Sequence, residues 1–207
     1  MPTPSTALTP RLLTAAALLG TLALAACGSA ETSSNSAPAP ATSDPAPAAA
    51  GVPFGPACAA VPASGPGSLG VIANEPVATA ASRNPGLSTL VSAVTKAGLV
   101  DTLNNAPAIT VFAPTNDAFA KIPADTLAKV LADKQALTNI LTYHVVEQRQ
   151  EPTDLDSGTL TTLQGGAIQA ARSGDTYTAD DARVVCGNVQ TRNATVYLID
   201  TVLMPKS

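Results

Sequence analysis

The tetrapeptide LAAC at positions 24–27 decides how much of this chain is left to fold. It closes an apolar stretch, residues 12–26, which follows a polar segment and the positive charge of Arg11. A membrane-spanning helix needs roughly 20 apolar residues, so this stretch is too short to be one. The arrangement is typical of a secretory leader, and residues 1–26 are therefore predicted to be a signal peptide that is removed on export.

The cysteine that ends this tetrapeptide, Cys27, stands where bacterial lipoproteins carry their lipid. In such proteins a diacylglyceryl group is attached to the thiol, and its two acyl chains, such as palmitate, hold the protein firmly at the membrane, whereas a single chain would bind only marginally. Cys27 is therefore predicted to be the first residue of the mature chain and its anchor on the outer face of the bacterial cell membrane. The alternative is an ordinary leader, cleaved near Ala26, followed by an unmodified cysteine.

Residues 27–53 have a different composition, in which Ser, Ala, Pro and Thr dominate and large apolar side chains are almost absent. Such a segment cannot bury enough surface to offset the entropy of ordering, so we predict disorder. Its prolines favour extended backbone, and at about 3.1 Å per residue roughly 25 residues reach on the order of 75 Å. We expect a tether that holds a domain away from the membrane, with a spacer of unselected length as the alternative.

The remaining residues, 54–205, are enough for a single domain of ordinary size with its own core. The first part, 54–73, is rich in Pro and Gly and is predicted to be an irregular arm, and 74–205 is predicted to be the core of the domain. Two cysteines, Cys58 and Cys186, lie near the two ends of this region.

In an exported protein such a cysteine pair is expected to be oxidised, which would staple the two ends of the domain together. Closing a loop of about 128 residues is worth roughly 5 kcal/mol at most in the chain-entropy model. The alternative, a zinc site, is disfavoured because the chain has only 1 His.

The charge balance narrows the class of partner. The leader contains one of the 11 basic residues and none of the 15 acidic ones, so the mature chain is mildly acidic. Lys and Arg do not cluster, and Trp is absent. Nucleic acid is therefore excluded as a partner, because its binding needs clustered positive charge.

Hydrophobic spacing predicts helices in the first half of the domain. Leu87, Leu90, Val91 and Val94 form one apolar stripe, and Gly98 is suited to ending that helix. Further helices are predicted after an N-cap at Asn74, over 99–104, after a cap at Thr115, and over 124–142 with a break near Asp133.

Strand patterns follow the helices along the chain. Alternating or β-branched runs predict strands at 109–113, 143–146, 159–163, 167–171, 176–179, 183–186 and 195–203. Helices before strands, with few βαβ alternations, indicate an α+β fold with a largely antiparallel sheet.

Three blocks of sequence carry a resemblance to a known family: ITVFAPTNDAF at 109–119, LTYHVV at 141–146 and NATVYLIDTVLMP at 193–205. Together they resemble the fasciclin-like (FAS1) domain. The stretch NEPVATAASRNPGLSTL, with the cysteine pair, is similar to the mycobacterial surface lipoproteins and secreted antigens of that family. The chain departs from the family pattern in having Ala194 where many members carry Gly, and Tyr197 where His is frequent.

The resemblance implies a wedge of two β-sheets with helices packed along one side. It implies adhesion between cells or to a matrix and no catalytic centre general to the family, and we predict no metal or cofactor for this chain. The family's motif positions in this chain are then structural residues, namely Thr115, Asp117, Phe119, Tyr143, His144 and Asp200.

Several of these side chains also suggest chemistry. His144 is the only histidine, but no sequence signature supplies the partner that catalysis needs, so we expect a buried, hydrogen-bonded residue. Asp117 and Asp200 suggest a carboxylate pair, although a helix cap and a turn are favoured for them. Asp180 and Asp181 suggest calcium, although a hairpin turn is favoured.

Two more features were open to a functional interpretation. The Asn193 sequon reads as a turn in a bacterial lipoprotein, and the tether is the better place for O-linked sugars. Phe54, Phe112 and Phe119 can line a cavity, but core packing is the default for all three.

Two functions follow as hypotheses. The first is a non-enzymatic surface lipoprotein, held to the membrane by its lipid, whose domain binds a protein or an envelope component. The second is a carrier or sensor of a small apolar, lipid-like ligand.

Overall fold

The structure is a computed structural model that describes residues 51–62 and 64–205. The predictions made for Cys27, for the leader and for nearly all of the tether lie outside the described residues. Within them, helices predominate up to Tyr143, with β1 among them, and strands predominate after it.

Seven α-helices occur in the described residues: α1 Leu69–Ile72, α2 Val77–Ser82, α3 Ser88–Ala97, α4 Val100–Asn105, α5 Asn116–Ala120, α6 Ala124–Ala132 and α7 Lys134–Tyr143. Short 3₁₀ helices lie at Pro56–Ala60, Pro85–Leu87 and Pro152–Leu155. None of these helices is long and apolar enough to span a bilayer.

Local sequence signals end and begin the helices much as expected. Gly98 ends α3 in the left-handed region with φ 75°, a conformation that glycine adopts without steric cost. The Thr115 side chain caps α5 by accepting a hydrogen bond from the Ala118 N–H at 3.3 Å. The predicted break near Asp133 is confirmed, since its carboxylate caps α7 directly after α6.

Two local predictions are wrong. Asn74 caps no helix, because its amide donates back to the Gly70 carbonyl of α1, and α2 starts after Pro76. The strand predicted over 143–146 is shorter: Tyr143 is the last residue of α7, and only Val145–Val146 form a strand. Tyr143 is buried and hydrogen-bonded to residues far along the chain, and this tertiary setting overrides the strand propensity of the aromatic residue.

The strands are β1 Ile109–Pro114, β2 Val145–Val146, β3 Ser157–Thr161, β4 Ala167–Ser173, β5 Thr176–Ala179, β6 Ala182–Gln190 and β7 Ala194–Ile199. They pair in the order β2-β1-β7-β6-β5-β4-β3, and only β1 and β7 run parallel. The predicted α+β class and largely antiparallel pairing are confirmed.

The wedge arises at β6, which belongs to both halves of the sheet. Its first residues pair with β5, whereas the pairing with β7 extends from Val184 to Gln190. Register shifts between Val184, Cys186 and Val189 bend the strand. The two predicted sheets are therefore continuous with each other through β6.

The two outer strands of the wedge are joined to each other. An isolated bridge links Val146 to Thr162, and the Leu163 N–H donates to the Val145 carbonyl at 2.7 Å. This contact brings the β2 edge to the chain that leaves β3. Neither edge is left as an open template for another strand at that point.

Two hydrophobic clusters fill the domain. One lies between the helices and the sheet and includes Leu90, Val94, Val111 and Leu141. The other lies inside the wedge and includes the fully buried side chains of Phe112, Tyr197, Leu155, Ile168 and Ile199. Helices thus cover one face of the sheet, as the resemblance implies.

Candidate functional site

The three sequence blocks that carry the family resemblance meet around one end of the β1–β7 pair. Because β1 and β7 are parallel, Pro114 pairs with Ile199, and the Thr115 N–H donates to the Ile199 carbonyl at 3.1 Å. The end of α7 joins them through the Phe112 N–H, which donates to the His144 carbonyl at 2.9 Å. This junction is the candidate site.

His144 is the buried centre of the junction, with 2% of its surface exposed. Its Nδ1 lies 2.8 Å from the Ile140 carbonyl, and its Nε2 accepts a hydrogen bond from the Leu203 N–H at 3.0 Å. Nδ1 therefore carries the proton of a neutral ring. Burial lowers the pKa of His144 to about 4, although the hydrogen bond to Ile140 opposes this. The imidazole ties α7 to the C-terminal segment and has no nitrogen left for a substrate.

Tyr143 makes a second buried link, into the wedge. Its Oη lies 2.9 Å from both the Ala167 carbonyl and the Oδ2 of Asp180. Burial, reinforced by the Asp180 carboxylate, raises the pKa of the phenol to about 12. Asp180 also accepts from the Gln169 N–H at 3.2 Å, so it fastens α7 to the β4–β5–β6 hairpins.

Asp180 and Asp181 form the two-residue turn between the paired residues Ala179 and Ala182. Asp180 has a positive φ of 49°, as this kind of hairpin turn requires. Within the described residues, no group of three or more potential metal ligands comes together.

The two acidic residues of the junction have separate roles. The Asp200 carboxylate accepts from the Arg183 N–H at 2.9 Å and pairs with Lys121 at 3.1 Å. Burial by itself raises the pKa of Asp200, but these hydrogen bonds and the Lys121 charge outweigh it and lower the pKa. Asp117 is exposed in the first turn of α5, where its negative charge interacts favourably with the positive end of the helix dipole. Asp200 therefore acts in a turn and Asp117 at the start of a helix, which are the roles that the sequence favoured for them.

Asn193 lies at the opposite end of the β1–β7 pair, where its backbone carbonyl accepts from the Ile109 N–H, and its sequence pattern predicted only a turn. Its Oδ1 accepts from the Val77 N–H at 3.0 Å, and its Nδ2 donates to the carbonyls of Leu103 and Ala106, each at 2.8 Å. The amide thus joins α2, the end of α4 and the β6–β7 hairpin. A glycan on this nitrogen would break the bonds that hold α4, so the sequon is a structural element of the fold.

Replacing Asn193 with Ala is expected to lower the free energy of unfolding by about 2–3 kcal/mol, because it leaves half-buried backbone groups on two helices unpaired. Urea denaturation followed by circular dichroism measures the change. Asn105→Ala is the matched control, since that exposed amide makes one local bond to the Asp101 carbonyl. Equal, small effects of the two variants would contradict the role given to Asn193.

Comparison with known proteins decides the family. A model of the fasciclin domain matches residues 85–205, more than half of the chain. The chain belongs to the fasciclin domain family. The matched range contains β1, α7, β7 and the whole junction, so the fasciclin domain is the part of the chain that carries the candidate site.

Relatives and a solved structure agree with this assignment. The chain is 50% identical over 147 residues to the cell surface glycolipoprotein MPB83 of Mycobacterium bovis, covering 69% of this chain and 66% of the relative, just under two thirds of its length. It is 46% identical to the immunogenic protein MPT70 of Mycobacterium tuberculosis, covering 75% and 84%. A FAS1 domain pair from the insect cell adhesion molecule fasciclin I shares the fold, with a TM-score of 0.53, 20% identity and coverage of 63% and 51%.

An arm that precedes the matched fasciclin domain is fastened to β6. A disulfide joins Cys58 to Cys186, and Phe54 and Gly187 exchange two backbone hydrogen bonds of 3.1 and 2.8 Å. The Phe54 ring packs on Tyr177, 4.8 Å between centroids, directly over Gly187. A side chain at position 187 would collide with that ring, which explains the glycine.

A cavity of about 80 Å³ lies between the helices and the sheet of the fasciclin domain. Phe112 forms part of its wall, whereas Phe119 is buried near α6, and Phe54 lies in neither place. The sequence suggested these phenylalanines as possible cavity residues but did not identify the elements that form the walls. Those are built mainly from Val, Leu, Ile and Ala of α2, α3, α4, α7 and the strands.

Proposed function

We propose that the protein is a non-enzymatic surface lipoprotein that presents its fasciclin domain for adhesion or protein binding at the cell envelope. One observation carries the proposal: three polar side chains of the sequence blocks that carry the family resemblance form their hydrogen bonds within the fold. His144, Asn193 and Asp200 each hold two or more structural elements together. A motif used in this way supports a rigid scaffold, and function then belongs to the surface that the scaffold presents.

The relatives support the location. Their names describe a cell surface glycolipoprotein and an immunogenic protein, and the FAS1 domain pair comes from a cell adhesion molecule. A leader that ends directly before Cys27 agrees with such an anchor, and the Thr- and Pro-rich tether offers sites for O-linked sugars. We therefore propose that the fasciclin domain lies outside the cell membrane, attached by a lipid on Cys27.

The test uses whole cells and one substitution outside the folded domain. Cells with the wild-type protein are expected to bind a layer of other cells or a matrix coating saturably. With Cys27→Ser, the protein is expected to lose fatty-acid label and leave the membrane, and the cells to lose binding. The released protein remains folded, and it should compete with wild-type cells for the same surface.

Each part of the proposal can fail separately. Label retained by the Cys27→Ser protein would contradict the anchor. Binding that never saturates, or that the released protein cannot compete for, would contradict adhesion through the fasciclin domain.

A second function, carrying a small apolar ligand, is favoured by the cavity between helices and sheet. Its volume of about 80 Å³ is far below the several hundred Å³ of a typical ligand pocket, so a whole lipid does not fit. The cavity is large enough to bind only a small apolar group.

A further inference from the structure

The cavity is lined almost entirely by aliphatic side chains. Its floor comes from the sheet, with Val111, Val196 and Leu198, and its walls come from α3, α4 and α7, with residues such as Leu90, Leu103 and Leu141. All of these side chains belong to the hydrophobic cluster between helices and sheet. A ligand in this cavity is therefore surrounded by hydrocarbon.

The few polar groups in the wall are already hydrogen-bonded within the protein. Both nitrogens of His144 have backbone partners, and the hydroxyl of Thr191 is bonded to the backbone of Ala194 at 2.9 and 3.1 Å. The Asn84 Oδ1 accepts from the Gly86 N–H at 2.9 Å. A polar ligand or a cluster of waters would find few partners there, which favours an apolar occupant.

Helix α2 contributes mostly small side chains to the cavity wall. Three of the residues that it turns toward the cavity are alanines, Ala78, Ala80 and Ala81, whose methyl groups leave room that larger side chains would fill. A dry cavity of about 150 Å³ binds benzene or xenon. At about 80 Å³, this cavity has room for only a few carbon atoms.

The cavity is covered by residues that precede the family match. Val61 and Gly67 of the arm and Ala81 and Asn84 around the end of α2 line it, and all four are partly exposed. The match to the fasciclin domain begins at residue 85. The floor thus belongs to the matched domain, and the cover belongs to the segment that the Cys58 disulfide fastens to β6.

We propose that this cavity holds the terminal carbons of an alkyl chain, which enters beside the partly exposed residues Val61, Ala81 and Asn84. The inference rests on the second proposed function and gives it a site. The remainder of the chain and its polar head stay outside the cavity, since the volume accepts only the tip. The same hydrocarbon tip occurs in a free fatty acid and in an envelope lipid.

The test compares two leucine substitutions in one helix, in protein carrying Cys27→Ser so that it is made without its own lipid. Ala81→Leu fills the cavity, whereas Ser82→Leu adds the same side chain to the exposed next position, which does not line it. Palmitate below its micelle concentration and phosphatidylethanolamine vesicles are the two probes. Xenon-induced shifts of the Leu103 and Val111 methyl signals report the cavity directly.

We expect one palmitate per chain, at least tenfold weaker binding in Ala81→Leu and unchanged binding in Ser82→Leu. The xenon shifts should vanish in Ala81→Leu alone, while its melting temperature stays level or rises because the cavity is filled. Transfer of lipid from vesicles identifies a membrane source, and binding of the free acid alone identifies a fatty acid.

The failures are distinct. Palmitate binding that Ala81→Leu leaves unchanged would overturn this site and leave the carrier function standing. If the wild-type protein gives xenon shifts but takes up neither palmitate nor vesicle lipid, the carrier function falls and this inference falls with it.

Discussion

Replacing Cys58 and Cys186 together with serine is expected to lower the free energy of unfolding by about 4 kcal/mol. The disulfide joins residues 128 positions apart, so it removes a large part of the freedom of the unfolded chain. The chain-entropy model gives a somewhat larger loss of stability for a loop of this length. Removal of native disulfides lowers the free energy of unfolding by about 2–5 kcal/mol. A loss of that size is a large fraction of the stability of an ordinary domain.

The loss should be uneven across the molecule. Without the disulfide, the arm keeps the Phe54–Gly187 hydrogen bonds and the packing of Phe54 on Tyr177, which are the contacts of a short segment. We expect the amide protons of Phe54 and Gly187 to exchange faster than those of β1 and β7, which lie in the centre of the sheet.

Urea denaturation and amide exchange measure both effects, and wild-type protein under a reductant is the control that needs no substitution. It should give the same midpoint as the double variant. A loss below about 1 kcal/mol would mean that the unfolded chain is already compact enough for the cross-link to add little.

The sequence was sufficient to predict the end of a helix where one residue determines the backbone conformation or caps the helix. Gly98 and Asp133 mark helix ends through their own conformation or side chain, and both were predicted. The four-residue helix α1 gave no signal, because LGVI is too short to show a period. The second half of β6 was missed as well, since Gly187 and Asn188, with φ 59° at Asn188, look like the end of a strand. Only the contact with Phe54 shows why the strand continues.

The site was predictable in its members and not in its connections. The family motif pointed to Tyr143, His144 and Asp200, and the structure brings their segments together. The role of Asn193 depends on groups 87 to 116 residues away, for which a local pattern carries no information. The cavity could not be predicted for the same reason, since its space depends on which alanines of α2 face the sheet.

Lowering the pH from 6.5 to about 4 is expected to remove about 3 kcal/mol of stability through His144 alone. The native pKa is lowered to about 4, whereas an unfolded histidine titrates near its ordinary 6.5. Between these values the unfolded chain binds a proton that the native state does not, so the free energy of unfolding falls as the pH falls. The shift of about 2.5 units corresponds to about 3 kcal/mol. The contribution of His144 is complete above pH 6.5.

His144→Gln separates this effect from general acid denaturation. The amide side chain remains neutral, and it can replace only one of the two hydrogen bonds of the imidazole, to Ile140 or to Leu203. At pH 7.5 we expect the variant to be about 2 kcal/mol less stable than wild type, because one buried backbone group loses its partner. Toward pH 4.5 the wild-type protein should lose stability more steeply, so that the difference between the two proteins shrinks.

This convergence is the decisive measurement, made by urea denaturation at several pH values. The chain has 1 His, so no other imidazole contributes a step in this range. Asp200 acts at lower pH, because its pKa lies below the ordinary value of a carboxylate and its stabilising contribution persists until the carboxylate is protonated. A constant difference between wild type and His144→Gln from pH 7.5 to 4.5 would mean that native His144 accepts a proton as readily as the unfolded chain. The buried link between α7 and the C-terminal segment would then have to open to admit that proton, since neither nitrogen is free in the native arrangement.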